Sequence, residues 1–137
     1  MKFSYKKFAV QSRPAGPATV VVRPVIPIHI GSTHRVAYEA LVDSGADYSI
    51  FHAQIGEAIG VDIRKGQRVM FAGVGGIAQE GFRHPVRVEI GKWHLPCHMV
   101  FAYGLKIPYG ILGQAEVFEW FVVVFDREAG WLDLRPR

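Results

Sequence analysis

Residues 39 to 51 read Glu-Ala-Leu-Val-Asp-Ser-Gly-Ala-Asp-Tyr-Ser-Ile-Phe, and Asp43 is the chemical oddity among them. Ala40, Leu41 and Val42 lead into it as strand formers, Asp43-Ser44-Gly45 turns the chain, and Tyr48 to Phe51 runs apolar again. A carboxylate set between two segments bound for the interior is costly unless something pairs with it or uses it. The chemistry it offers is proton transfer. A lone Asp-Ser-Gly turn occurs in any β protein, so the motif needs support from elsewhere in the chain. Two further stretches stand out: the glycine-rich Ala72-Gly73-Val74-Gly75-Gly76, and the apolar pair Ile111-Leu112 followed by Gly113.

Six histidines invite a metal reading, above all His94 and His98 flanking Cys97. Pro96 and strand alternation spread these side chains over both faces, and no second ligand pair stands elsewhere at zinc spacing. Cys97 is expected to pack as a small apolar residue. The chain has no serine nucleophile elbow, phosphate loop or dinucleotide fingerprint, since Gly73-Val74-Gly75-Gly76 lacks the spacing and the following helix. No metal and no cofactor are expected.

The elements that must position Asp43 are mostly strands. Fifteen Gly and eight Pro punctuate short Val/Ile/Phe-rich runs, and 137 residues that are 50% hydrophobic make one domain, mainly β. Strands are expected at Thr19 to Val22, at Val25 to Ile30, where Pro24 and Pro27 mark an edge, and at Arg35 to Val42. A short helix is expected over His52 to Ile59, ending at Gly60. Gln67 to Phe71 and Ile77 to Phe82 form a hairpin around the glycine-rich tip. Val86 to Ile90 and Trp93 to Phe101 follow as strands, then a second helix over Gln114 to Trp120. Phe121 to Phe125 and Trp131 to Leu134 close the chain as a hairpin around Asp126 to Gly130.

Lys2, Lys6, Lys7 and Arg13 account for the whole net charge of +4, so the rest of the chain is balanced. Residues 1–18 are expected to be a basic arm and residues 19–137 the functional domain. With the charge confined to that arm, no nucleic-acid partner is expected. No apolar run approaches the ~20 residues that span a bilayer, so no membrane partner is expected either. A single cysteine and the lack of a signal-peptide core fit a cytoplasmic protein.

Taken together and in this order, the motifs resemble those of the retroviral-type aspartic proteases, the retropepsins. Arg23 to Gly31 is similar to their first strand with its Arg-Pro start. Ala40 to Asp47 matches Ala-Leu-Leu-Asp-Thr-Gly-Ala-Asp with Ser44 in place of Thr. The glycine-rich tip resembles the flap, and Pro108 to Gly113 the segment ending in two aliphatics and Gly. The resemblance runs from Arg23 to about Trp120.

It implies a homodimeric aspartic endopeptidase acting on a polypeptide, built as a barrel-like lobe with a flap hairpin and one or two short helices. Asp43, Ser44 and Gly45 would form the catalytic turn, each chain giving half of a carboxylate dyad. Ser44 would cross-link the two loops below the dyad, and Gly45 would offer its carbonyl to substrate. Leu41, Asp47, Gly73, Val74, Gly75, Tyr109 and Ile111 would bind substrate. Arg23 would pair across the dimer interface with Asp47 of the second copy. The family carries Arg after the second Gly where this chain has Gln114, so one part of that ionic network is missing. Ala46 stands where pepsin-like enzymes carry a hydroxyl that donates to the catalytic carboxylate, so a less acidic pH profile is expected. The competing expectations are a noncatalytic retropepsin-like dimerisation or peptide-binding module, and a monomeric β-barrel serving a larger assembly.

Overall fold

The computed structural model describes all of residues 1–137 as a single, mainly β domain. Its strands are β1 (Lys2–Ser4), β2 (Lys6–Val10), β3 (Thr19–Arg23), β4 (Val25–Gly31), β5 (Arg35–Val42), β6 (Ile50–His52), β7 (Gln67–Ala72), β8 (Ala78–Ile90), β9 (Trp93–Ala102), β10 (Gly110–Leu112), β11 (Phe121–Asp126) and β12 (Trp131–Pro136). The helix α1 (Ala53–Ala58) is short, with His52 Nδ1 accepting from the Gln54 N–H at 3.1 Å and Gly60 at φ 88° beyond its end. No helix is long and apolar enough to cross a membrane.

Seven strands form the main sheet in the order β4-β5-β10-β6-β9-β8-β7, and β4 also meets β8 at His29↔Glu89 and Ile30↔Val88, so the sheet curls back on itself. The side of β4 away from β5 is otherwise open, which is where Pro27, lacking an N–H, is tolerated. β8 is one 13-residue strand that runs through Pro85, opposite His98, joining the separately expected Ile77 to Phe82 and Val86 to Ile90. Alternation decides what the curl encloses: Val88 and Ile90 on β8 and Leu95, Cys97 and Met99 on β9 point inward. With Ile26, Ile30, Phe51, Phe101, Leu112, Phe121, Leu132 and Leu134 they make the main core. Each such side chain contributes roughly 1.5–3 kcal/mol by leaving water.

The basic N-terminal stretch carries two strands, Lys2–Ser4 and Lys6–Val10. β1 pairs with β12 through Phe3↔Leu132, in a three-stranded sheet β1-β12-β11, and β2 pairs with β3 from Lys6↔Arg23 to Val10↔Thr19. The closing hairpin β11–β12 is as expected from the sequence.

The expected helix over Gln114 to Trp120 is not formed. Gln114–Phe118 is a single irregular turn in which Ala115 is extended (φ −60°, ψ 127°) and Glu116 has φ 77°. Tertiary contacts hold the segment off the helical path: Gln114 and Ala115 N–H donate to the carbonyls of Ala46 and Asp47, and the Glu116 side chain is drawn to Arg83 and His98.

Candidate active site

β5 delivers Asp43 to its position. It pairs in parallel with β10 (Ala40↔Gly110, Leu41↔Ile111, Val42↔Leu112), and the Asp43 N–H continues that ladder by donating to Leu112 O at 3.0 Å. β10 pairs on its other side with β6, at Ile111↔Ile50. The chain therefore leaves the sheet on one side of β10, loops through residues 43 to 49, and re-enters on the other. Asp43 stands where two parallel strands end side by side.

The loop is stapled from beneath by the residues that follow β10. Gly113 N–H donates to Ser49 Oγ at 3.1 Å, Gln114 N–H to Ala46 O at 2.7 Å, and Ala115 N–H to Asp47 O at 2.9 Å. The Gln114 side-chain amide donates to Ser44 O at 2.7 Å. Gly113 is glycine because the approach is so close: a Cβ there would lie 2.3 Å from Tyr48 O and 2.7 Å from Ala46 O. Ser49 is buried, so its hydroxyl serves a donor that water cannot reach.

Within the loop, Gly45 N–H donates to Asp43 Oδ1 at 2.9 Å, and Ala46 N–H to Asp43 O at 3.3 Å. One carboxylate oxygen is thus held by the turn itself, and Oδ2 has no hydrogen-bond partner within the chain. Asp43 faces a cleft of about 760 Å³, mostly apolar, with Gly45, Ala46, Asp47, Tyr48 and Ile50 on the loop side. Met70, Phe71, Ala72, Gly73, Val74 and Gln79 of the β7–β8 hairpin lie opposite, and Leu105 and Ile111 line it too. That size is ordinary for a ligand cleft.

Of the residues singled out from sequence, Asp43, Gly45, Asp47, Gly73, Val74 and Ile111 line this one cleft. Ser44 and Gly75 sit beside it without lining it. Leu41 and Tyr109 do not reach it in the single chain. Leu41 lies in the ladder between Val25 and Ile111. Tyr109 is buried, its ring edge against Phe8 of β2 (centroids 5.4 Å apart) and its hydroxyl accepting from Arg23 Nη1 at 2.8 Å. Arg23 also stacks over Phe8, 5.2 Å from the ring centre, so within one chain its partners are aromatic rather than Asp47.

Two residues with evident structural work were missed. Gln114 registers in the sequence only as a departure from a family pattern, yet its amide replaces the absent charge with a neutral bond to the loop. Glu116, inside the expected helix, instead directs Oε1 at His98 Nδ1 (2.8 Å) and Arg83 Nη2 (3.4 Å). Burial, with the nearby Glu116 carboxylate adding to it, pushes the Cys97 thiol up to about 12, so it is no nucleophile at neutral pH. His94 lies by Glu89 on the other side of the strand from Cys97, and no three His, Cys, Asp or Glu side chains converge as metal ligands.

A family profile described as "Aspartyl protease" matches residues 26–115. No curated protein matches the chain. Among solved structures, the EIAV protease complexed with the inhibitor HBY-793 is similar, with 25% sequence identity over 77% of this chain and 88% of that one and a TM-score of 0.48.

Proposed function

The chain belongs to the aspartyl protease family, and from that premise we propose that it is a homodimeric aspartic endopeptidase of retropepsin type, each subunit supplying one Asp43. The observation that carries this reading is the asymmetry of the Asp43 carboxylate: Oδ1 is occupied by Gly45 N–H while Oδ2 is left for a partner at the floor of an apolar cleft. One carboxylate on a stapled loop is half of a device that needs two.

In the assembled device a water lies between the two Asp43 carboxyls. Two ionised carboxylates ~3 Å apart would repel by roughly 5 kcal/mol at an effective dielectric of ~20, so the pair keeps one proton between them. The ionised one takes a proton from water as its oxygen attacks the peptide carbonyl carbon. The protonated one gives its proton to the carbonyl oxygen. The first carboxyl then gives its proton to the amide nitrogen, the second takes one back from a hydroxyl of the tetrahedral intermediate, the C–N bond breaks, and acid and amine leave with the singly protonated dyad restored. No covalent intermediate forms.

The apolar cleft favours an extended polypeptide with apolar side chains about the cleaved bond. Gly73 and Gly75 give the hairpin freedom to open and close over it as a flap, with the Val74 N–H turned to substrate through a water. Ala46 lines the cleft beside Asp43 and has no hydroxyl to donate. Ala46→Ser should therefore move the acidic limb of the pH–kcat/KM profile to lower pH without changing cleavage sites. An acidic limb that stays put would place residue 46 away from the carboxylates. Assembly is tested by sedimentation. Activity per chain should rise with protein concentration, and an active monomer would sink the two-chain mechanism.

A further inference from the structure

Glu116 is the one residue other than glycine with positive φ in the chain, at φ 77° and ψ −55°. These are the dihedrals of the classic γ-turn, rare and strained for an L residue. Such strain persists only where the surroundings over-determine it, and here they are identifiable. The Glu116 side chain is only 14% exposed, and its Oε1 is gripped by His98 of β9 and Arg83 of β8. Val117, next in the chain, is fully buried. On the other side, Gln114 and Ala115 make the three hydrogen bonds that hold the carbonyls of Ser44, Ala46 and Asp47. The strained residue thus joins an anchored segment to the staples under Asp43. Relaxation of its backbone would turn one side against the other, and with Val117 packed in the core the staples are the side with more freedom to give.

We infer that Glu116 is a positioning residue: its carboxylate, clamped by Arg83 and His98, holds residues 113 to 117 in the strained turn that aims Gln114 and Ala115 at the Asp43 loop. This rests on the reading of Asp43 as catalytic, and it adds a residue that acts on Asp43 through the loop, 18 residues in sequence from His98 and 33 from Arg83. Gln114 and Ala115 are the contacts through which it acts.

The test is residue-resolved amide hydrogen exchange, beside steady-state kinetics on a peptide substrate, for wild type, Glu116→Gln, Glu116→Gly and Arg83→Gln. Glu116→Gln removes the carboxylate charge at constant size, and Arg83→Gln replaces the guanidinium by a shorter neutral side chain. Glu116→Gly removes the clamping side chain altogether and leaves the backbone at residue 116 free to depart from φ 77°. In all three variants the Gln114 and Ala115 amides should exchange at least tenfold faster, while those of Val88 and Met99 in the core stay within threefold. kcat should fall about tenfold with KM within twofold. Unchanged exchange at Gln114 and Ala115 in folded variants would overturn the clamp. So would acceleration spread evenly over the sheet, or failure of all three to fold, because either would make these residues ones of general stability. Exchange reports on the clamp even if the wild type cleaves nothing, so failure of the catalytic reading and failure of this one are distinguishable.

Discussion

The two walls of the cleft are built in opposite ways. The Asp43 loop is tied to the segment after β10 by three backbone donors and one side-chain amide, so closely that Gly113 has no room for a Cβ. The facing hairpin tip is tied to almost nothing. Residues 72 to 80 are all exposed, a Cβ on Gly73, Gly75 or Gly76 would meet no atom within 4 Å, and Val74 and Ile77 project their apolar side chains into solvent. Both walls use glycine, for different reasons. At Gly113 it permits close approach; at Gly75 and Gly76, with φ of 101° and 71°, it permits the turn. The contrast suits a reaction in which acid–base groups must be placed to fractions of an ångström while a chain-like substrate must still enter and leave.

Substitutions at the two walls should therefore diverge. The largest effect is expected from Gly113→Ala, whose methyl would collide with the Tyr48 and Ala46 carbonyls on a loop that cannot retreat. It should cost about 3 kcal/mol, a fall in Tm of roughly 10 °C, and abolish activity. A melting temperature within 2 °C of wild type would mean the loop is not held as described. Ser49→Ala leaves the buried Gly113 N–H without an acceptor and should cost about 2 kcal/mol by denaturant titration. The smallest stability effect is expected from Gly75→Ala. Its φ is unfavourable for Ala by about 1–2 kcal/mol, but the strain can be relieved by local loosening of a tip that supports nothing else. Tm should change by about 2 °C or less while kcat/KM drops several-fold. If Gly75→Ala destabilised as much as Gly113→Ala, the two walls would not differ in kind.

What was legible in the sequence follows the same division. Turn chemistry and strand alternation are local, so the Asp43 turn, the β7–β8 hairpin and the closing hairpin can be read without knowing the fold. The staples cannot. Gln114 meets Ser44 across 70 residues of chain, and nothing near it marks an amide with that duty. The segment 114–120 reads as helix because Gln, Ala and Glu favour one, but contacts to the Asp43 loop on one side and of Glu116 with Arg83 and His98 on the other accompany an extended Ala115 and a positive φ at Glu116, and the propensity is overridden. The resemblance to the retropepsins places Tyr109 among the substrate-binding residues. Phe8 and Arg23, from strands far earlier in the chain, pack against it instead.

The central claim is that Asp43 is the acid–base group of a peptidase, and cleavage of a denatured protein pool by wild type and Asp43→Asn across pH 4 to 8 tests it most directly. Asparagine keeps the size of the side chain and an oxygen for the Gly45 N–H, so the fold and Tm should hold. In a dimer the substitution removes both carboxylates at once. The expected result is cleavage by the wild type, strongest at mildly acidic pH, and at least a thousandfold loss in a folded Asp43→Asn protein. Cleavage by that variant within tenfold of wild type would contradict the account, as would a folded wild type, dimeric in solution, that cleaves nothing at any pH and so acts only as a binding or dimerisation module.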